Sequence, residues 1–494
     1  MRYTYRSTAM PVSIRITLAQ QQSFELQCGN QSRPVDWKDV ESLATTSDRE
    51  YFGDGQAHDG HWAPSLPQLA ALGRRLFQWL DGPQGWLRTG LTNGETTVLL
   101  DLGAPLQARD LNPATELLVR KLAHLPWELL HDGKAFLAEL GIQPVRVMQS
   151  RSNHAPPANR PLRLLFMATS PEDVLPELNY EQEETNILEA TRKQPIELVV
   201  EESGSVSQLQ NLVASFDHHH FDVFHITGHG VIEEGTPQFV TEDEQGGERR
   251  TTAEQLAEAF GRRWPRLLFL SGCHTAHAPD RGTIPSMAHA LVNAGADAVL
   301  GWAQPVYDST GILAATQLYR ALATGETTLE AVAAVRREML RTFLKDTNQA
   351  FCSDWHLLRL YQGVRDTEAL VTPLRTPKRE QIKRKAPEAD FLDAEGNIKV
   401  AGASAFFGRR REMQRCLKAL AYPGDYYGVF IHGIGGYGKS TIAARLCRRH
   451  EAQNPGFERV VLIGPVEEAR LRQGISNKFG GIPEVIEILN QPKI

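Results

Sequence analysis

Short apolar runs alternate with amphipathic stretches from Leu162 onward, and this alternation restricts the possible folds more than any other feature of the chain. The strand-like runs occupy residues 162–170, 196–202, 221–228, 266–272 and 297–303, with helix-like stretches at 251–263 and 286–295. Strands and helices at this spacing predict an α/β fold with a parallel sheet covered by helices on both faces. In such folds ligands and catalytic groups lie at the carboxyl ends of the strands.

The composition narrows the class of function. Lysine and arginine number 53 against 59 acidic residues, so the net charge of -6 gives no indication of binding to nucleic acid or anionic lipid, and a protein partner fits better. The N-terminus lacks an apolar signal segment and no apolar run reaches about 18 residues, which predicts a cytoplasmic protein without a membrane span. The 5 cysteines include no CxxC pair, which favours reduced thiols.

Two predicted strand ends carry reactive side chains. HITGHG (225–230) and FLSGCHTA (269–276) each predict an apolar strand that runs into a glycine-bracketed turn, exposing His229 in the first and Cys273 in the second. Adjacent parallel strands would bring the two turns side by side. An imidazole beside a thiol can take its proton, and this combination of residues predicts nucleophilic catalysis that needs no cofactor.

The glycines beside these residues suggest an oxyanion site. We expect Gly228 and Gly230 to keep side chains away from the scissile peptide, and the backbone N–H groups of Gly230 and Cys273 to converge on the carbonyl oxygen as it becomes negative. His225 is either a packed histidine or a residue that orients His229. A lone cysteine after an apolar strand can also be a buried small hydrophobe.

A zinc site made of Cys273, His274 and His277 is disfavoured, because no second cysteine or acidic partner stands at metal-site spacing.

The order His-Gly and then Ser-Gly-Cys at neighbouring strand ends resembles the CHAT family of caspase-like peptidases, relatives of caspases and separase. LPWELLHDGKAFLAELGIQPVRVM (125–148) is similar to the family's Pro-Trp-Glu segment, and AGADAVLGWAQPVYDSTG (294–311) resembles its strand after the nucleophile. The resemblance implies a caspase-like sheet, with residues 1–160 as an N-terminal pseudo-caspase subdomain and residues 161–371 as the catalytic subdomain.

The same resemblance implies roles for individual residues. His229 would be the general base and acid, Cys273 the nucleophile and Gly230 part of the oxyanion site. The strand from Gly301 to Ser309 would line the substrate cleft and pair with an extended peptide. Candidates for side-chain selectivity on this strand are Trp302, Gln304 and Asp308. Asp308 would either favour a basic residue before the cut or cap the helix predicted over 312–322.

A second module follows residues 372–399, a basic, proline-containing stretch that we interpret as a linker, with a contact to nucleic acid or lipid as the alternative. YYGVFIHGIGGYGKSTIAARLCRRH (426–450) predicts a strand, a phosphate-binding P-loop and a helix. Glycines would let backbone N–H groups wrap the phosphates of ATP or ADP, Lys439 would reach the β- and γ-phosphates, and Ser440 would ligate Mg²⁺. The predicted nucleotide-binding residues are Gly433, Gly435, Gly436, Gly438, Lys439, Ser440 and Thr441.

FFGRRREMQRCLKAL (406–420) resembles the helix entry of the STAND class of signal-transducing ATPases, which hold nucleotide as an on/off latch. The resemblance implies that residues 400–494 form the first part of a P-loop α/β NTPase domain that drives oligomerisation. RVVLIGPVEE (459–468) fits the next sheet strand, and no strand ending in paired acids follows at the Walker B distance. We therefore expect a truncated domain without sustained ATP hydrolysis.

Together these features predict a cysteine endopeptidase that is activated through a nucleotide-binding module and cleaves a protein substrate. The family resemblance suggests bacterial immunity or programmed cell death, with a gasdermin-like precursor as one possible substrate. Two alternatives stay open: an ATP-dependent signalling scaffold whose CHAT domain binds protein without turnover, and a DNA-associated regulator that uses the basic linker.

Overall fold

The computed structural model divides the chain into two compact units, Met1–Lys383 and Arg384–Ile494, and the boundary falls inside the predicted linker. The structure describes residues 11–20, 23–52, 65–106, 111–151, 155–175, 182, 185–187, 189, 192, 194–233, 236–272, 287–304, 306, 308–345, 350–364, 368–376, 389–391, 399–401, 408–421, 428–453 and 468–490.

The first unit contains a large mixed sheet flanked by helices. Its strands are β1 (Val12–Gln20), β2 (Ser23–Cys28), β3 (Gln31–Asp36), β4 (Thr97–Asp101), β5 (Gln143–Arg151), β6 (Leu162–Ala168), β7 (Ile196–Glu201), β8 (Val223–Glu233), β9 (Thr236–Glu242), β10 (Glu248–Thr251), β11 (Leu267–Gly272), β12 (Ala298–Trp302) and β13 (Leu358–Val364). Its α-helices are α1 (Trp37–Ser47), α2 (Leu66–Asp81), α3 (Trp86–Thr92), α4 (Gly103–Leu106), α5 (Pro113–His124), α6 (Val206–Ala214), α7 (Ala253–Phe260), α8 (Met287–Ala294), α9 (Asp308–Ala323) and α10 (Thr328–Lys345). Short irregular helices occupy Asp48–Phe52, Trp127–Leu129 and Ala350–His356.

Among the described residues, 13 strands form one sheet in the order β10-β9-β8-β11-β12-β13-β5-β4-β1-β2-β3, with β6 between β7 and β8. The strands predicted from the apolar runs after Leu162 are confirmed as β6, β7, β8, β11 and β12. These five strands pair in parallel with one another, as predicted. The sheet as a whole is mixed, because β13 and β9, which the sequence did not predict, run antiparallel to β12 and β8.

Strand β13 joins the two predicted subdomains. It pairs with β12 on one side and with β5 on the other, and β5 belongs to the part of the chain before residue 160. One continuous cluster of buried apolar side chains extends from β1 to the segment after β13. The two predicted subdomains therefore share one sheet and one core, since burial of apolar surface favours a single continuous interior.

The second unit is described only in part. Its elements are β14 (Ala389–Phe391), β15 (Lys399–Ala401), α11 (Arg410–Ala421), α12 (Lys439–Gln453), α13 (Glu468–Phe479) and α14 (Pro483–Leu489). Helices α11 and α12 pack together through Met413, Leu417, Ile442 and Leu446.

The strand expected before Gly433 is not formed in residues 428–433, where the side chain of Phe430 is 71% exposed. A strand needs a hydrogen-bonded neighbour, and the described residues give this segment none. The strand expected at 459–468 falls almost wholly outside the described residues; Glu468 begins α13.

Candidate active site

Strand β8 positions His229. The strand is buried from Val223 to Gly228, and exposure begins at His229, which is half-buried. The turn predicted around His229 is not formed, because β9 supplies an antiparallel partner that continues β8 to Glu233, with His229 opposite Val240. His229 therefore lies where β8 leaves its parallel neighbours and enters a hairpin.

Strand β11 lies beside β8 in parallel register. Thr227 is opposite Ser271 and Gly228 is opposite Gly272, the last residue of β11. Cys273 itself lies outside the described residues. The register thus pairs the two residues that immediately precede the predicted general base and the predicted nucleophile.

Both paired glycines have a steric cause, the ring of Phe239 on β9. A Cβ atom on Gly228 would lie 2.0 Å from Thr169 Oγ1 and 2.7 Å from Phe239 Cε1, and a Cβ on Gly272 would lie 2.7 Å from Phe239 Cε2. Real Cβ contacts are not this short, so these positions require glycine for packing. The clearance for a scissile peptide that the sequence suggested for Gly228 is therefore not needed to explain it. Gly230 lies opposite Phe239, and its oxyanion role stays a prediction.

Trp302 does not lie in an open cleft. Its side chain has no exposed surface, and its indole N–H donates a hydrogen bond of 3.4 Å to Ser271 Oγ. Both edges of β12 are occupied, because Gly301 is opposite Leu270 of β11 on one side and opposite Arg359 of β13 on the other. The expectation that Gly301 and Trp302 pair with a substrate strand and select its side chains is therefore corrected.

The other two candidates for selectivity stay predictions. Gln304 is half-buried just after β12. Asp308 is the first residue of α9, four positions earlier than the predicted start of this helix, and its side chain lies outside the described part of the structure.

His225 is a packed histidine on the same strand as His229. Its ring is fully buried and lies flat against Phe269, with a centroid separation of 4.6 Å and an angle of 9° between the ring planes, and it also contacts Phe166 and Tyr319. Burial lowers the pKa of His225 to about 3. These contacts favour the packing role, one of the two alternatives that the sequence left open.

Buried histidines predict a loss of stability in mild acid. Burial lowers the pKa of His225 and of His356 to about 3, well below the ordinary value of 6.5. Between pH 6.5 and about 3 the unfolded chain therefore binds protons that the folded chain does not. The stability that depends on these neutral histidines is fully present above pH 6.5 and is lost as pH falls. We expect the free energy of unfolding, measured with urea, to fall below pH 6.5 by about 1.4 kcal/mol per pH unit for each such histidine.

The variant His225→Phe is the matched control for this prediction. Phenylalanine keeps a flat ring among the aromatic neighbours and cannot be protonated, so the slope of stability against pH is expected to be shallower than in the unsubstituted chain. Equal slopes for the two proteins between pH 7 and pH 5 would contradict the assignment.

A buried ionic cluster is centred on Glu128, which belongs to the segment that contains Pro126 and Trp127. Glu128 is 1% exposed and accepts hydrogen bonds from Arg146 at 2.5 and 2.9 Å and from Arg336 at 3.1 Å, while Arg359 Nε lies 4.0 Å away. Burial alone would raise the pKa of Glu128, but Arg146 and then Arg336 hold it down at about 2. The sequence indicated this segment only through its resemblance to a family motif. It did not indicate that Glu128 would pair with Arg336 and Arg359, which lie about 200 residues later in the chain.

The second candidate site is the glycine-rich loop before α12. Three of its glycines have positive φ angles, 147° at Gly433, 83° at Gly436 and 80° at Gly438, and a Cβ atom at any of these positions would meet nothing within 4 Å. The glycines are therefore required by backbone conformation and not by crowding. Lys439 begins α12, and its ammonium donates to the carbonyl of Ile434 at 2.9 Å within the loop.

Among the helices that the structure describes, none is long and apolar enough to span a bilayer. The described residues also contain no group of three or more histidine, cysteine, aspartate or glutamate side chains arranged to hold a metal ion, and His274 and His277 lie outside them.

Comparison with known proteins identifies the class. The family model described as "CHAT domain" matches residues 71–362, more than half of the chain. Together with the mixed sheet, this match defines a caspase-like, protease-type domain. The chain belongs to the CHAT family. No curated protein matches it.

Three solved structures are similar at low identity. Separase of Saccharomyces cerevisiae, in a separase–securin complex, is 12% identical with a TM-score of 0.31 over 67% of this chain and 21% of that chain. RgpB of Porphyromonas gingivalis, in a complex of its pro- and mature domains, is 11% identical with a TM-score of 0.33 over 68% and 77%. The Drosophila initiator caspase Dronc is 12% identical with a TM-score of 0.22 over 41% and 83%. The chain thus spans about a fifth of the length of the separase chain that it matches.

Proposed function

We propose that the first unit is a cysteine endopeptidase in which Cys273 is the nucleophile and His229 the general base and acid. The observation that carries this proposal is the register of β8 and β11, in which Gly228 lies opposite Gly272. Neighbouring strands are about 4.8 Å apart, so the residues that follow two paired positions start from adjacent points of the sheet. The CHAT family membership supports the same assignment.

In the proposed reaction, His229 takes the proton of the Cys273 thiol, and the thiolate attacks the carbonyl carbon of the scissile peptide. The backbone N–H groups of Gly230 and Cys273 stabilise the negative oxygen. His229 then gives its proton to the leaving amine, and water hydrolyses the thioester to release the acid and restore the thiol. Gln304 and Asp308 are proposed to contact the substrate.

The proposal is tested by cleavage of a peptide library. We expect the unsubstituted chain to cut library peptides at a defined set of sequences and the Cys273→Ala variant to cut none of them, because alanine offers no nucleophile. Products identified by mass spectrometry also report the subsite preference. Turnover that persists in Cys273→Ala would remove the cysteine peptidase assignment.

We further propose that the second unit binds ATP or ADP with Mg²⁺ and regulates the peptidase through oligomerisation. The positive φ angles of Gly433, Gly436 and Gly438 and the start of α12 at Lys439 support this, since such a loop turns backbone N–H groups toward a phosphate. Lys439 would pair with the β- and γ-phosphates, while Ser440 and Thr441 would face the magnesium-bound nucleotide. The bound nucleotide would supply the energy difference between two states of the protein.

Nucleotide binding gives a separate prediction. Lys439→Ala is expected to weaken binding of a fluorescent ATP analogue by about 10- to 100-fold, because one charge-assisted hydrogen bond to phosphate is lost. Lys418→Ala, at an exposed position of α11, is the matched control and should leave affinity unchanged. Equal affinities for the two variants would contradict the phosphate site.

The biological role proposed from the family is bacterial immunity or programmed cell death, with a gasdermin-like precursor as one possible substrate. Incubating the unsubstituted chain and Cys273→Ala with a candidate precursor, and sequencing any new N-terminus, tests the substrate directly.

A further inference from the structure

A row of side chains crosses the three neighbouring strands β8, β11 and β12. On β8 and β11 the row lies two residues before His229 and Cys273. Thr227 of β8 lies opposite Ser271 of β11, and Trp302 follows Gly301, which lies opposite Leu270 of β11. Side chains alternate between the two faces of a sheet, so Thr227 and His229 project from the same face of β8. The row therefore lies on the face of the sheet that carries the proposed general base.

Ser271 is held at two of its atoms. The indole N–H of Trp302 donates to Ser271 Oγ at 3.4 Å, and the hydroxyl of Thr227 donates to the Ser271 carbonyl oxygen at 3.2 Å. Helix α9 lies close above, since a Cβ atom on Gly311 would be 3.3 Å from Ser271 Oγ. The side chain and the carbonyl of the residue before Gly272 thus both have fixed partners.

Ser271 lies two residues before the proposed nucleophile, so these contacts act close to Cys273. Ser271 and Gly272 are the last two residues of β11, and Cys273 follows them directly. The peptide group that joins Ser271 to Gly272 sets the direction in which the chain leaves the strand. A displacement of about 1 Å in a reacting group can cost on the order of 100-fold in rate.

We propose that Trp302 and Ser271 are positioning residues for the nucleophile: the indole holds the serine hydroxyl, and the serine holds the end of β11 from which Cys273 emerges. This inference rests on the proposed peptidase function and changes the role of Trp302 from a substrate contact to an internal support. Full burial of Trp302 agrees with this role and leaves no surface for substrate.

The experiment measures thiol reactivity and catalysis in Trp302→Phe, Ser271→Ala and the double variant. Phenylalanine keeps most of the buried ring and removes the N–H donor, and alanine removes a single oxygen atom. The rate of alkylation at Cys273 by iodoacetamide is followed from pH 6 to pH 9 by peptide mapping, and kcat and KM are measured on the best library peptide.

Each single variant is expected to lower kcat and the alkylation rate at Cys273 about tenfold with KM unchanged, and the double variant should lose no more than either single variant. Trp86→Phe is the matched control, because it removes the hydrogen bond of 2.6 Å that the buried Trp86 indole on α3 donates to Gln31 Oε1 on β3, far along the sheet from β8 and β11. Cys28, whose pKa is raised by burial and then by Glu95, serves as an internal reference for alkylation.

Three results would overturn the positioning role: a raised KM with unchanged kcat in Trp302→Phe, additive losses in the double variant, or native rates at Cys273 in both single variants. If Trp302→Phe does not fold, Ser271→Ala decides alone, and native rates in that variant overturn the inference. If the unsubstituted chain shows neither cleavage nor selective alkylation at Cys273, the proposed function itself has failed.

Discussion

Replacing Glu128 with glutamine is expected to lower the free energy of unfolding by roughly 3–5 kcal/mol, the usual cost of removing one partner from a buried ion pair. Glutamine has nearly the same shape as glutamate, so the loss comes from charge and not from a cavity. In the native cluster the guanidinium groups of Arg146, Arg336 and Arg359, all with no more than 1% of the side chain exposed, share this one carboxylate. Urea unfolding followed by circular dichroism measures the effect.

Glu50→Gln is the matched control. Glu50 forms an ion pair with Arg75 at 3.2 Å, but their side chains are 31% and 46% exposed, so water screens the pair. The control should therefore change stability by less than about 1 kcal/mol. Losses of equal size in the two variants would show that the buried cluster has no special part in holding the fold.

The cluster also connects the two predicted subdomains. Glu128 and Arg146 come from the chain before residue 160, whereas Arg336 lies on α10 and Arg359 on β13. Arg336 additionally donates to the carbonyl of Leu358 at 2.9 Å, and so ties α10 to β13. The two predicted subdomains should therefore unfold in one transition.

Replacing His229 with alanine is expected to lower kcat/KM by at least roughly 1,000-fold, because the thiol then lacks both the base that activates it and the acid that protonates the leaving amine. The double variant His229→Ala, Cys273→Ala should be no less active than Cys273→Ala alone, since residues that act as one unit do not contribute additively. Steady-state cleavage of a library-derived peptide measures all three variants.

His218→Ala is the control for this series. His218 is exposed in the segment before β8, and its Nδ1–H donates one long hydrogen bond, of 3.4 Å, to the Arg262 carbonyl. It should retain the native kcat/KM. Native activity in His229→Ala would show that β8 does not supply the general base.

Much of the first unit could be predicted from local sequence. The apolar runs at 162–170, 196–202 and 266–272 are long enough to be buried strands and too short to be helices, and they form β6, β7 and β11. The end of β8 was not predictable in the same way. Gly228 and Gly230 favour a turn, but the pairing of β9 with His229 and the residues after it keeps the backbone extended.

The selectivity residues show the same limit. Trp302 follows an apolar run, and such a position can face a cleft or the interior with equal local preference. The pairing role predicted for this strand is excluded by β13, which lies more than fifty residues later and covers the edge of β12 that a substrate strand would need.

Local sequence was enough to predict the strands after Leu162, the placement of His229 and Cys273 after apolar runs, and the glycine-rich loop before α12. These features depend on residues that are neighbours in the chain, where backbone sterics and side-chain alternation act directly. Four further features became visible only in the folded protein: β13 joins the two halves, Phe239 requires both paired glycines, Trp302 is internal, and Glu128 interacts with three arginines. Each of these depends on burial and pairing between segments far apart in the chain, and no local pattern encodes which distant segment will be the partner.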